Sequence, residues 1–257
     1  MFSSRRIATL GGSKFKDDWS FLMNSDDSND SALLGVNLES IIRDSFSVVV
    51  WLKSEDTISA GLNVICGLKK DANDWIYLGI NAAGQFVYYH VSDGATNNRS
   101  SVYTFDDGES PWMQLVFTIE KNATNGCKYY KDGVFIEADN TNSINDSQWA
   151  AFDAGSINFA IGGQRTSTGT SNVFDGYFSE FAIYNKVLSE SEVATVYNSR
   201  EAFNHKDWSG APNCKGWWRF GDGNEGGSGT TIYDMSGEGN NATLQNSESG
   251  DLQGNTP

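Results

Sequence analysis

The stretch SFSVVVWLK, Ser45 to Lys53, sets Phe46, Val48, Val50 and Leu52 on one face and Ser47, Val49, Trp51 and Lys53 on the other. A period of two sustained over nine residues predicts a β-strand with two distinct faces. The pattern recurs in WMQLVFTIEK, where Met113, Leu115, Phe117 and Ile119 alternate with more polar neighbours. DWIYLGINAAGQFVYYHVSDG reads as a hairpin around NAAG, and CKYYKDGVFIEAD as a tighter one in which Asp132-Gly133 supplies the positive φ angles of the reversal. SINFAIGG and FDGYFSEFAIYN are further strands. Helical spacing is strong in LSESEVATVYNSR, Leu188 to Arg200. There Ser189 and Glu192 form a capping box, and Val193, Val196 and Tyr197 an apolar stripe. No βαβ alternation occurs. The expected class is all-β: a two-sheet antiparallel sandwich of jelly-roll type, with one short helix in the C-terminal half.

Composition narrows the functional classes. The 257 residues carry 33 acidic against 18 basic side chains, a formal net charge of -15 with no Lys/Arg stripe, which opposes nucleic-acid binding. Cys66, Cys127 and Cys214 are an odd set without CxxC spacing and sit in apolar segments, so they read as buried free thiols. No stretch approaches the ~20 apolar residues of a membrane span, and MFSSRRIATLGGSKFKDDW lacks the apolar core of a secretory signal. A protein folding in a reducing cytoplasm, without membrane or nucleic-acid partners, is expected. Residues 1–18 read as an N-terminal arm and 19–257 as one domain.

The order WSFLMNSDDSNDSALLGV, SFSVVVWLK, DWIYLGINAAGQFVYY, WMQLVFTIE, CKYYKDGVFIE and FDGYFSEFAIYNKVLSESEV resembles the laminin G-like, concanavalin A-like jelly roll over about residues 19–200. In that layout a strand like GWWRF and a loop like DMSGEGNNATLQN precede the first strand; here they follow the helix. The resemblance therefore implies a permuted arrangement, with residues 205–257 returning to supply a strand. Permutation is cheap because chain ends usually lie close together. The opening RRIATLGGSKF and the closing segment through DLQGNTP are similar to those of marine bacteriophage proteins. That likeness implies a non-enzymatic virion component, a capsid (head) decoration protein or tail appendage. It would be made in the host cytoplasm, homo-oligomeric on the particle, and partnered by other virion proteins and host-surface glycans. Arg5, Arg6, Ile7 and Leu10 are candidate docking residues. The alternative is a calcium-dependent carbohydrate-binding module of a bacterial surface protein.

Chemistry-bearing constellations are sparse. Neither His90 nor His205 stands in a motif with a nucleophile, and no GxSxG elbow occurs. EADNTN, Glu137 to Asn142, approaches the E-x-D-x-x-E of laminarinase-type glycosidases but ends in an amide, so the carboxylate pair needed for glycoside cleavage is incomplete. NSDDSND places Asp26, Asp27 and Asp30 in one turn. Hard oxygen ligands of this kind suit Ca²⁺, which laminin G-like domains often bind at loop edges, and ordinary Asx turns have the same composition. Relatives often carry aspartate at the place of Ser179, so that position offers no carboxylate here. Trp51, Trp75, Tyr77 and Tyr89 lie opposite in phase to the core residues Val50, Ile76, Leu78 and Tyr88. They form either a carbohydrate-binding surface of stacked rings or a packing layer.

Overall fold

A computed structural model describes residues 15–23, 31–34, 38–54, 62–104, 111–138, 146–223, 228–246, 251–254 and 256–257. Asp26, Asp27 and Asp30, together with the docking residues Arg5 to Leu10, lie outside these.

Two antiparallel sheets face each other. The first runs β10 (Val134–Ala138), β9 (Cys127–Lys131), β8 (Met113–Ile119), β3 (Phe46–Ser54), β14 (Gly176–Tyr184), β1 (Ser20–Met23) and β18 (Leu252–Gln253), with β15 (Cys214–Trp218) also on β14. The second runs β16 (Thr231–Ile232), β17 (Ala242–Gln245), β2 (Ser31–Leu34), β11 (Ala160–Ile161), β4 (Asn63–Lys69), β5 (Trp75–Ile80), β6 (Gln85–Ser92) and β7 (Ala95–Thr104). A short hairpin, β12 (Gln164–Arg165) and β13 (Thr170–Ser171), joins β4 through β12.

The alternation of β3 builds the core. Phe46, Val48, Val50 and Leu52 meet Cys66, Leu68, Ile76 and Leu78 of the facing sheet in one continuous cluster. Its outward set is covered as well: Val49 packs with Val116, Ala182, Val193 and Val196 beneath α3 (Glu190–Tyr197). Removing such side chains from water yields roughly 1.5–3 kcal/mol each, so both faces of this sheet stabilise the fold. Ser189 caps α3 through the expected box with Glu192, and Asn198 ends it in the left-handed conformation at φ 50°. Two shorter helices, α1 (Glu39–Ile42) and α2 (Asp146–Ala151), contribute Ile42 and Trp149 to the core. At the β9–β10 turn Asp132 and Gly133 have φ 50° and 75°, as a two-residue hairpin requires.

The C-terminal segment enters both sheets. In β15, Trp218 pairs with Phe181 and faces the inter-sheet core, while Trp217 pairs with Ala182 and lies in the layer under α3. β17 pairs with β2 from Ala242↔Leu34 to Gln245↔Ser31. One edge of β14 is shared end to end: β1 pairs with Gly176–Phe178 and β15 with Phe181–Tyr184. Between those two segments Glu180 takes a positive φ of 48°.

Candidate functional site

The four sequence-selected aromatics divide between the sheets. Trp75, Tyr77 and Tyr89 project from the outer face of the second sheet, because Tyr77 pairs with Tyr89 while Ile76 and Leu78 of the same strand enter the core. The rings stack: Trp75–Tyr89 at 4.6 Å and 19°, and Tyr77–Tyr89 at 5.3 Å and 15°. Tyr77 is 5% exposed and forms the floor, whereas Trp75 and Tyr89 are half-buried and reach solvent. Burial, and then the neighbouring Tyr89, push the Tyr77 hydroxyl above its ordinary range. Gly67, opposite Tyr77, permits this close packing, since a Cβ there would meet Tyr77 Cβ at 2.7 Å and Ile76 O at 2.5 Å.

Trp51 does not belong with them. It lies on β3 in the other sheet, 3% exposed and stacked against Tyr197 at 5.8 Å, with Trp112 and Tyr177 alongside. The alternation of β3 places it on the outer face, but that face of its sheet is covered, so Trp51 offers no ring to a ligand.

Beside the aromatic group the β12–β13 hairpin and the turn at Lys69–Asp71 border an open pocket of about 480 Å³. Cross-strand register aligns the two: Ser171 pairs with Gln164, Gln164 with Gly67, Gly67 with Tyr77, and Tyr77 with Tyr89. Lys69 lines the pocket, and its ammonium stands 5.0 Å from the Trp75 ring centroid. Gln164 had no conspicuous signal in the sequence; the one cue was the Gly162-Gly163 reversal ahead of a run of polar residues.

A second cluster of polar groups is internal. Arg219 Nε donates to Glu180 Oε1 at 2.8 Å, the Trp217 indole N–H donates to the other carboxylate oxygen, and Arg219 Nη1 donates to Asp222 O at 2.9 Å. Asp222 Oδ2 accepts the backbone N–H groups of Asp18 and Trp19 at 2.8 and 2.7 Å. Ser179 Oγ donates to Asp17 Oδ2 at 2.8 Å. Burial, then the Glu180 charge and a hydrogen bond to Asp222, push the Asp17 carboxyl up to about 10; burial raises Glu180 to about 7 against the pull of Arg219. These groups tie the two ends of the chain to the β14 bulge. Phe15, within the segment read as an arm, joins them, 5.7 Å from Trp217.

The remaining sequence candidates stand apart. Burial holds His90 down to about 4 and, with Arg219, His205 to about 3, so neither is a base poised near neutrality. Glu137 lies on the edge strand β10, and Asp139 to Asn142 fall outside the described residues. Among the described residues, no group of three or more His, Cys, Asp or Glu is placed to hold a metal ion.

Comparison with known proteins supports the architecture. The solved structure of a candidate carbohydrate-binding protein from Bacteroides ovatus ATCC 8483 aligns with 90% of this chain at 17% identity and a TM-score of 0.59; the chain spans 58% of that protein's length. The binding domain of botulinum neurotoxin DC aligns over 72% of this chain and 43% of its own at 15% identity, with a TM-score of 0.52. The NanB sialidase from Streptococcus pneumoniae aligns over 68% of this chain and 27% of its own at 16% identity, with a TM-score of 0.51. At such identities the likeness is one of fold. No curated protein matches the sequence. The model of the family Laminin_G_3 matches residues 26–194, well over half of the sequence. The chain belongs to the concanavalin A-like lectin/glucanases superfamily.

Proposed function

We propose that the protein is a non-enzymatic carbohydrate-binding domain that recognises glycans on the outer face of its second sheet. The observation that carries this reading is the stack of Trp75 and Tyr89 on the buried Tyr77, half-open to solvent beside a polar pocket. Aromatic surface bordered by a few fixed polar groups is the usual make-up of a small-molecule site. The C–H faces of a sugar ring are apolar enough to lie against such rings. The buried carboxylates Glu180 and Asp222 are engaged by Arg219, Trp217 and backbone N–H groups, which supports a structural rather than catalytic use of the acidic residues. A glycan array probed with wild type and Trp75→Ala, each with and without EDTA, tests the reading. Signal on at least one oligosaccharide, lost in Trp75→Ala, is expected. A blank array in every condition, or signal that survives the substitution, contradicts it. The EDTA arm reports separately on any requirement for calcium at Asp26, Asp27 and Asp30.

The setting we propose for this binding is a bacteriophage particle, where the domain decorates the head or a tail appendage. What supports it is the sequence likeness of both chain ends to marine phage proteins. Residues 1–14 are the docking segment in this reading. Deleting them is expected to abolish incorporation into particles, as measured by mass spectrometry of purified virions. Normal incorporation contradicts the docking role.

A further inference from the structure

The pocket beside Trp75 has an unusual balance of hydrogen-bonding groups. Gln164 is 2% exposed and lines it; its Oε1 accepts from Asn172 Nδ2 at 3.4 Å, while its Nε2 has no hydrogen-bond partner. A buried amide N–H₂ left without an acceptor is costly and marks a place where an acceptor is expected. Three of the neighbouring groups are already committed. Thr166 Oγ1 donates to Gly169 O at 2.9 Å and accepts from Gly169 N at 3.1 Å. Asp71 Oδ1 accepts the N–H groups of Asn73 and Asp74 at 2.7 and 3.0 Å, and the Lys70 ammonium is paired with Asp153. Gln164 Nε2 and the Lys69 ammonium are donors, and one of them is charged.

Resting on the carbohydrate reading above, we infer that this pocket takes the anionic group of an acidic sugar, a carboxylate or a sulfate ester. Gln164 and Lys69 donate to its oxygens while the sugar ring lies against Trp75. Charge-assisted hydrogen bonds are the stronger kind, and both donors meet an oxyanion better than a neutral hydroxyl, which would also ask for an acceptor. The chain's net charge of -15 opposes anions at long range, so the preference has to arise at contact distance, within the ~8 Å over which charges act at physiological salt. Gln164 is thereby the specificity-determining residue, and its place in the register row beside Gly67 and Tyr77 sets the distance between anion and ring.

The test is isothermal titration of the intact protein with three probes of matched length: an oligogalacturonate, a sulfated galacto-oligosaccharide and the neutral galacto-oligosaccharide. One acidic probe is expected to bind at least ~10-fold more tightly than the neutral one, and the two acidic arms distinguish carboxylate from sulfate. Gln164→Glu, nearly isosteric and negatively charged, is expected to erase that preference. Lys69→Gln, at a half-buried position that does not threaten folding, is expected to reduce it by a similar factor. Equal binding of all three probes, unchanged by Lys69→Gln but lost in Trp75→Ala, overturns the anion pocket and leaves the aromatic platform standing. Acidic binding that survives Trp75→Ala and is lost in Lys69→Gln supports the pocket and overturns the platform. Absence of binding by every probe overturns both.

Discussion

Arg219 Nε lies 2.8 Å from Glu180 Oε1, with both side chains more than nine-tenths buried and the two residues 39 positions apart in the chain. The pair joins the bulge of β14 to the returning C-terminal segment. Breaking a buried ion pair from one side leaves an uncompensated charge, at a cost of about 3–5 kcal/mol. Arg219→Met is therefore expected to lower unfolding stability by about that amount in a urea titration. A loss below ~1 kcal/mol would show that the pair does not hold the segment.

Asp17 makes the alkaline side of the stability profile informative. Its folded pKa, pushed to about 10, lies above the unfolded value, so the fold binds a proton that the unfolded chain releases. That contribution is complete below about pH 4 and is lost as pH rises toward 10, at no more than about 1.4 kcal/mol per pH unit. Between pH 7.5 and 9.5 the Glu180 and histidine titrations are largely over. Across that window wild type is expected to lose more stability than Asp17→Asn. Parallel curves would mean that Asp17 is ionised in the folded protein.

Truncation after Arg200 removes Trp217, Trp218 and Phe220 from the core layers, along with β17 from the second sheet. Residues 1–200 alone are expected to show no cooperative thermal transition and rapid proteolysis. A sharp transition with native-like circular dichroism would demote the segment to an accessory.

Trp51 and Trp75 provide a matched pair. Trp51→Ala empties a covered site and is expected to cost about 3–5 kcal/mol while leaving glycan affinity within twofold. Trp75→Ala is expected to cost little stability and to abolish binding. Denaturation and titration on the same two variants separate the roles; exchanged outcomes would place the ligand face on the wrong sheet.

The sequence carried the local elements well, because each rests on a short-range pattern. The β3 alternation, the Asp132-Gly133 turn and the Ser189–Glu192 box all appear where their residues predict. Alternation assigns a residue to one face of a strand, but it does not say which sheet the strand joins. That depends on distant partners, and β3 pairs with β8 and β14. For that reason alternation alone groups Trp51 with Trp75. The Asp17–Glu180–Arg219–Asp222 cluster was hidden for a related one: its members are brought together only by the return of the chain, and charged residues spaced so far apart leave no periodic trace. Gln164 gave even less, since its importance comes from being buried with one donor unmet.

Carbohydrate binding at the outer face of the second sheet is the proposal on which the binding predictions depend. The most direct measurement is a two-dimensional ¹H–¹⁵N spectrum recorded during titration with the oligosaccharide that gives the strongest array signal. The indole N–H of Trp75 and the amides of Lys69, Tyr89 and Gln164 are predicted to shift together and saturate, while the indole resonances of Trp51, Trp217 and Trp218 stay in place. Shifts centred on α3 and Trp51, with Trp75 unmoved, would place the ligand on the first sheet instead.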